Sequence, residues 1–411
     1  MTGPLKKVTV ILLVLALVTM FGFGCAEKEE GVVTITIGEM TDLTGPASPW
    51  VVSGHLALMD AVQYYNDEGL IPGVKLKVVS WDTGLNPART IPGYDWLRER
   101  GADLIESVIG SDGVILKPFA DKDRFPVFSL TAEREMTEPP GWVFCLSQQS
   151  DMVMVTLLQW VSENHWDYSQ GIPKIGFQGW SEAHTVSVER ATEEYCQAHP
   201  DKFEYVGGFL PPQGTMIWTG EVEALKDCDY IGVFGSPAPA FIRDYRAKGY
   251  SATMLDPSTL PTAQRFCVAM AGWEGLNGTL SASSSPVWGP LPIIDLARDL
   301  LSKYRPGEAN DIIDEGGMYG SGVLYSVVIF EILHNAIEEV GAKNLSSQAI
   351  YDAAANYKVG GPLWEGIPEW SLSETKRYLT DHILLYEWSA EEEDMVMIED
   401  WIPMVTEWVT E

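Results

Sequence analysis

The sequence predicts an α/β protein of two doubly wound lobes, each a parallel sheet covered by helices. First, short β-branched or apolar runs alternate with helical periodicity along the chain, which indicates βαβ units with right-handed crossovers. Second, the 411 residues exceed the roughly 100–200 residues of one ordinary domain. Third, the second half repeats the strand–helix order of the first half, although no sequence repeat is detectable. The apolar content of 46% is sufficient for two packed cores.

Residues 35–66 form the first predicted strand–loop–helix unit. We predict a strand at 35–37 that breaks at Gly38, followed by the turn-forming run 43–46. The next segment has small or apolar residues at helical spacing: Val51, Gly54, Leu58, Ala61, Val62 and Tyr65. Because doubly wound folds bind ligands where a strand's carboxyl end meets the next helix, loop 41–50 is a predicted binding position.

The alternation continues along the rest of the chain. The first lobe is expected to add strands 74–78, 104–109 and 126–129, and the chain to cross to the second lobe near 144–147. The second lobe is predicted from strands 174–177, 203–206, 230–234 and 251–255, with helices 152–161, 183–198, 221–226 and 238–248 between or beside them. A return to the first lobe is expected around 276–283, before helices 293–304 and 319–340 and terminal strands 378–387 and 395–398.

The amino-terminal segment predicts export. Lys6 and Lys7 precede an uncharged run at 8–23, which is typical of a secretory signal. The single Cys25 directly after it resembles a bacterial lipoprotein processing site, although Gly22 and Phe23 depart from the usual pattern. We therefore expect residues 1–25 to be a signal peptide with lipidation at Cys25, and 26–34 to be a tether. The alternative is an uncleaved membrane anchor, and either would hold the exported chain at a membrane.

The charge and the cysteines limit the other possibilities. A net charge of −31 argues against a nucleic-acid partner, whose phosphates require a basic face. Four further cysteines, with no C-x-x-C spacing, give neither a zinc nor a thioredoxin motif: Cys145, Cys196, Cys228 and Cys267. Export permits disulfides, and three pairings are possible, but buried free thiols fit the sequence equally well.

Several weak motifs in order resemble one family. The chain is similar to type I periplasmic solute-binding proteins of the leucine/isoleucine/valine-binding group in three places. These are the opening G-x-x-x-x-L-T-G-P with its following aromatic residue and A-V-x-x-x-N helix, the Asp82…Pro87-Ala88 run, and the Gly360-Gly361-Pro362 turn. The resemblance implies two Rossmann-like lobes joined by a three-segment hinge. It divides the chain into lobe 1 (35–147 and 277–371) and lobe 2 (148–276 and 372–411).

The same resemblance implies a function. The protein would be the extracytoplasmic solute-binding component of an ABC importer, a monomer without cofactor or metal that docks on permease and ATPase subunits. The alternative is a sensor that delivers its closed state to a receptor or kinase. A secreted hydrolase is a remote alternative, since no G-x-S-x-G, H-E-x-x-H or phosphate-binding motif occurs and the six histidines lie on separate elements.

Three loops of the first lobe carry predicted ligand-binding residues. Ser111, Asp112 and Gly113 lie where a helix begins and can bind an anionic group, although plain N-capping is an equal alternative. The loop Thr131-Ala132-Glu133 resembles the family's amino-acid-contacting loop, with Glu133 replacing a threonine. A carboxylate there would repel a ligand carboxylate and attract an ammonium group. Trp50 occupies the position of an aromatic residue that covers the ligand in the family.

The second lobe supplies the other predicted site residues. His184 stands where the family often has a tyrosine that faces the cleft, and Ser236 follows a predicted strand. In the family, an acidic residue pairs with the ammonium group of the ligand. The corresponding position in this chain is Ser258, and the acidic residue Asp256 lies two residues before it. These departures favour a small polar or amphipathic ligand other than leucine-like amino acids, such as an amide, a small carboxylate or an aromatic compound.

Overall fold

The computed structural model describes residues 31–131, 133–257 and 260–408. The predicted signal segment with the lipidation site Cys25 lies outside the described residues, as do Ala132 and Ser258. All helices, strands and contacts of the fold belong to the three described ranges.

The first sheet has five parallel strands in the order β2-β1-β3-β4-β5. Its strands are β1 Val33–Thr41, β2 Val74–Asp82, β3 Leu104–Ser107, β4 Val127–Ser129 and β5 Val143–Cys145. Helices α1 Ser48–Glu68, α2 Thr90–Glu99, α3 Gly110–Asp123 and α4 Arg134–Thr137 connect them. This strand–helix alternation is the one that the sequence predicts.

The second sheet has seven strands in the order β12-β11-β10-β9-β8-β6-β7. Five of them run parallel: β6 Lys174–Gln178, β7 Glu204–Phe209, β8 Tyr230–Val233, β9 Thr253–Asp256 and β10 Leu280–Ser283. They alternate with α5 Ser150–Trp160, α6 Ala183–Ala198, α7 Thr219–Ala224, α8 Ala238–Ala247 and α9 Gln264–Leu276.

The last part of the chain serves both sheets. Helices α10 Pro292–Tyr304, α11 Ala309–Glu315, α12 Met318–Val340 and α13 Ser347–Ala354 complete the first lobe, and antiparallel strands β11 His382–Ser389 and β12 Asp394–Pro403 extend the second sheet. Together the two sheets and their helices confirm the predicted α/β fold with two doubly wound lobes.

Three segments of the chain cross between the lobes side by side. The Cys145 N–H donates to the Arg377 carbonyl at 2.7 Å, and the Leu379 N–H donates to the Cys145 carbonyl at 2.9 Å. The third crossing joins through side chains, with Ser147 Oγ and Ser284 Oγ 2.6 Å apart. Three hydrogen-bonded crossings form the three-segment hinge that the family resemblance implies.

Helix α12 is the central helix of the first lobe and packs along α1. At their crossing, a Cβ on Gly322 would lie 2.8 Å from Ala57 Cβ and 3.2 Å from Gly54 Cα, so only glycine permits this spacing. Among the described residues, α12 is the one helix long and apolar enough to cross a membrane, but 83% of its apolar window is buried in the protein. We therefore interpret it as a core helix.

Some element boundaries differ from the sequence predictions. The expected break at Gly38 is wrong, since β1 continues to Thr41 and Gly38 pairs with both neighbouring strands. Glycine suits this position because an added Cβ would lie only 3.0 Å from Ala102 Cβ. The sequence analysis missed α9, in which Gly272 at φ +70° interrupts the helical periodicity. Strand β10, in the segment assigned to lobe 1, pairs with β9 and β11 in the second sheet.

The cysteines that the sequence left open are free thiols in the structure. Cys145, Cys196, Cys228 and Cys267 are all buried and unpaired. Burial raises the pKa of each thiol, which disfavours the thiolate.

Two glutamates lie side by side within the first lobe. Glu39 on β1 and Glu106 on β3 are direct register partners, and both are buried. Glu39 pairs with His55 Nδ1 at 2.8 Å and accepts from Ser80 Oγ at 2.6 Å. Burial, and secondarily the charge on Glu39, raises the pKa of Glu106 to about 8. Glu106 is therefore mainly protonated at neutral pH.

This pair predicts a pH dependence of stability. The folded-state pKa of Glu106 exceeds its unfolded value of 4.5, so the folded chain holds a proton that the unfolded chain releases. The stability contribution is complete below pH 4.5 and is lost as the pH rises to about 8. The raised pKa of His55 acts in the same direction. Glu106→Gln should raise the free energy of unfolding above pH 8 by on the order of a few kcal/mol. Urea unfolding across this pH range measures it.

The matched control is Glu392→Gln in the exposed turn between β11 and β12. This control variant should change the free energy of unfolding little at any pH, and the slope of that free energy against pH should stay as in the wild type. Equal pH slopes for the wild type and Glu106→Gln would contradict the assignment of a protonated Glu106.

Candidate ligand-binding site

A cavity of about 400 Å³ lies between the two lobes. Its walls include the starts of α3 and α6, which follow β3 and β6, and residues 234–237, which follow β8. All of these positions are at the carboxyl ends of parallel strands. The cavity thus lies where a doubly wound fold places its ligand.

Aromatic side chains from both lobes border the cavity. Trp50 comes from α1 and is 8% exposed, with its ring centroid 5.3 Å from that of Phe266. Trp180 follows β6 and donates from Nε1 to the Thr215 carbonyl at 2.9 Å, and Phe234 follows β8. These contacts fix the two indoles, so apolar walls are in place on both sides of the cleft.

The first turn of α3 brings a carboxyl group to the cavity. Asp112 accepts hydrogen bonds from Thr90 Oγ1 at 2.6 Å and Ser107 Oγ at 3.3 Å. Burial raises the pKa of Asp112 to about 6, and the two hydroxyl donors oppose that rise. Ser111 lies beside it on the cavity wall. The first turn of α3 therefore already contains an acid of its own helix.

The start of α6 presents an acid and an imidazole from the second lobe. Glu182 caps the helix, with its Oε1 accepting from the Thr185 N–H at 3.0 Å. His184 is 7% exposed, and burial lowers its pKa, so the imidazole is neutral at pH 7. Its ring centroid lies 4.8 Å from that of Phe234, and its Nε2 has no hydrogen-bond partner among the described residues. His184 is a polar group available to a ligand.

Hydroxyl groups form the hinge side of the cavity. Ser284 Oγ lies 2.6 Å from Ser147 Oγ and 3.3 Å from the Tyr325 hydroxyl, and Ser285 Oγ lies 2.5 Å from Ser321 Oγ. All five residues line the cavity. This network was not predicted from the sequence, although the serine run 283–285 was a signal that could have found it.

The structure brings six of the predicted site residues together on the cavity wall: Trp50, Ser111, Asp112, Thr131, His184 and Ser236. Gly113, Glu133 and Asp256 are not on it. Gly113 lies against Met136, where no side chain fits, and Asp256 accepts from the Leu260 N–H at 2.9 Å. Ala132 and Ser258 are outside the described residues.

Glu133 is buried among other acids next to the cavity wall. It is 1% exposed, and burial together with Glu182, Glu135 and Asp151 raises its pKa well above the usual range. Neither carboxyl oxygen has a hydrogen-bond partner on another described residue. The protonated, uncharged form of Glu133 is therefore favoured behind Thr131.

The lobes touch each other across the mouth of the cleft. Gln213 Nε2 of the second lobe donates to the Leu85 carbonyl of the first at 3.2 Å. On another side, Glu135 accepts from Ser187 Oγ at 3.3 Å and forms an ion pair with Arg190. Both contacts join residues far apart in sequence, so separating the lobes would break them.

A two-lobed α/β fold with a hydroxyl-floored, aromatic-walled cavity at its cleft defines a class of binding proteins. Residues 34–382 match the periplasmic binding protein family, and the chain belongs to that family. This confirms the family resemblance of the sequence. A search of curated proteins finds no match.

Solved structures share the fold at low sequence identity. A branched-chain amino acid ABC transporter protein from Thermus thermophilus with bound valine superposes with a TM-score of 0.78 at 19% identity, covering 91% of this chain and 97% of its own. A fatty acid ABC transporter substrate-binding protein from Thermomonospora curvata gives 0.76 at 16%, covering 90% and 92%. A possible leucine/isoleucine/valine-binding protein from Rhodopirellula baltica SH 1 gives 0.74 at 15%, covering 90% and 97%.

Gly110 allows the two lobes to meet. A Cβ there would lie 2.7 Å from His184 Nδ1 and 2.8 Å from Thr131 Oγ1. Gly110→Ala should therefore push the lobes apart and increase the radius of gyration measured by small-angle X-ray scattering. The control is Gly220→Ala in α7, where nothing lies within 4 Å of the added carbon. An unchanged radius for Gly110→Ala would show that this contact does not limit closure.

Proposed function

We propose that this protein is the extracytoplasmic solute-binding component of an ABC importer. The observation that carries the proposal is the cavity between the lobes, which takes its walls from both lobes and its floor from the hinge. A ligand bound there contacts all three parts at once. It therefore stabilises the closed arrangement over the open one, and hinge closure is the event that a partner can detect.

The partners follow from this role. A closed binding protein docks on membrane permease subunits that are coupled to an ATPase, and lipidation at Cys25 would keep it at the outer face of the membrane. We propose that it acts as a monomer. No chemical step is needed, since affinity and specificity come from excluding water around a few placed polar groups.

The cavity supports a small amphipathic organic ligand. Indole and phenyl walls suit an apolar or aromatic part, whereas the serine network and the neutral His184 imidazole suit hydrogen-bonding groups. The Thermus thermophilus structure holds valine, which supports an amino-acid-like size. However, Glu133 is not on the cavity wall, so a leucine-like pose with its ammonium on Glu133 has no support.

A thermal-shift screen of the full chain tests the function. The panel contains amino acids, amides, small carboxylates, aromatic acids and small amines. A true ligand raises the melting temperature by on the order of a few degrees at saturating concentration, because it binds only the folded state. Trp50→Ala should abolish the shift, since Trp50 forms a cavity wall.

The matched control is Trp96→Ala. Trp96 packs under the Arg100 guanidinium 3.8 Å from its ring centroid and is not on the cavity wall. This variant should keep the ligand-induced shift even if its own melting temperature falls. If no compound of the panel raises the melting temperature of the wild type, that result would contradict the solute-binding proposal.

A further inference from the structure

The cavity wall carries acids without bases. Among the described residues that line it, Asp112 and Glu182 bear carboxyl groups and none is a lysine or an arginine. One acid comes from each lobe, so a molecule between the lobes faces both. An anionic ligand would meet no opposite side-chain charge there.

Glu133 adds a third carboxyl group behind this wall. It is 1% exposed, has no hydrogen-bond partner on another described residue, and is electrostatically coupled to Glu182. Leaving a buried carboxyl group without a partner is unfavourable unless a positive or donating group comes near it. Glu182 and the other nearby acids keep Glu133 in its protonated form, and a cation in the cavity would favour its ionised form.

Two of the helix N-termini at the cavity begin beside an acid of their own helix. Glu182 caps α6 through the Thr185 N–H, and Asp112 lies in the first turn of α3. The starts of α1, α8 and α12 also reach the cavity wall, have no acid in the first turn and contribute only partial positive charges. The acidic side chains on the described wall have no basic counterpart there, which favours a cation.

The aromatic walls supply the second kind of attraction. Trp50 from one lobe, and Trp180 and Phe234 from the other, border the same cavity. Aromatic faces attract organic cations, and they attract alkylated ammonium groups well because such groups are weakly hydrated. Strongly hydrated metal ions and primary ammonium groups gain less from such walls.

We propose that the ligand is a small organic cation with an alkylated, in particular quaternary, ammonium group held between Trp50 and Trp180 near Glu182. This proposal rests on the solute-binding function and names its ligand class. The hydroxyl network at the hinge takes the polar end of the same molecule.

Calorimetric titration of the full chain with two matched probes tests the proposal. The first probe is choline, and the second is its uncharged isostere, in which a tert-butyl group replaces the trimethylammonium group. The two have nearly the same size and the same hydroxyl, so their affinities differ by the charge alone. Choline should bind at least about ten-fold more tightly. Equal or tighter binding of the isostere, or no binding of choline, would overturn the proposal.

Two variants locate the charge. Glu182→Gln keeps a capping oxygen on α6 and should weaken choline binding several-fold while leaving the isostere unaffected. Glu392→Gln, in the exposed turn of the second lobe, removes the same charge away from the cavity and should change neither affinity. An equal loss of choline affinity in both variants would mean that only the net charge of the protein matters. That result would overturn the proposed position of the ligand beside Glu182.

Adding choline to the panel of the thermal-shift screen separates this inference from the solute-binding function on which it rests. If a neutral or carboxylate compound binds and choline does not, the solute-binding function stands and the cationic ligand class is wrong. If no compound raises the melting temperature, the solute-binding function and the cationic ligand class are both wrong.

Discussion

Hydrogen bonds between the three crossing segments at the hinge govern how the two lobes can move. Cys145 shares its amide and carbonyl with residues 377–379, and Ser147 meets Ser284, so three crossings are fixed side by side. Arg377, 1% exposed, donates from Nε to the Gly141 carbonyl at 2.9 Å. Because the crossings cannot slide independently, the lobes can move only by bending about them, and the cleft above them becomes the place where a ligand acts.

The hinge also explains why polar groups are concentrated around the cavity. Serine hydroxyls pair with one another at the hinge floor, Glu182 caps α6, and Asp112 lies in the first turn of α3. Elsewhere in the first lobe, the buried Glu39–Glu106 pair sits beside His55 at a cost in stability that grows with pH. Polar groups at the cleft have a functional explanation, whereas the structure gives no reason for the buried pair.

Much of the fold was predictable because strand–helix alternation is a local signal. Helix α6 has the predicted bounds, and the helix beginning near Met318 differs by one residue. Strand pairing was harder to predict. The sequence predicts that the segment containing β10 returns to the first lobe, but β10 is hydrogen-bonded to β9 in the second sheet. A four-residue strand fits either sheet, and only the packing of the folded chain decides between them.

Sequence alone was enough to predict the class of the protein: two α/β lobes, a cleft at the strand ends, and Trp50, Ser111 and His184 as cleft residues. The lobes, the cleft and Ser111 follow from periodicity and from where strands end, which are properties of short segments, whereas Trp50 and His184 were placed by the family resemblance. Two features required the folded chain: Glu133 and Asp256 do not line the cavity, and serines from three distant segments form its floor. Side-chain direction and long-range contact depend on how the lobes pack, and no short stretch of sequence contains that information.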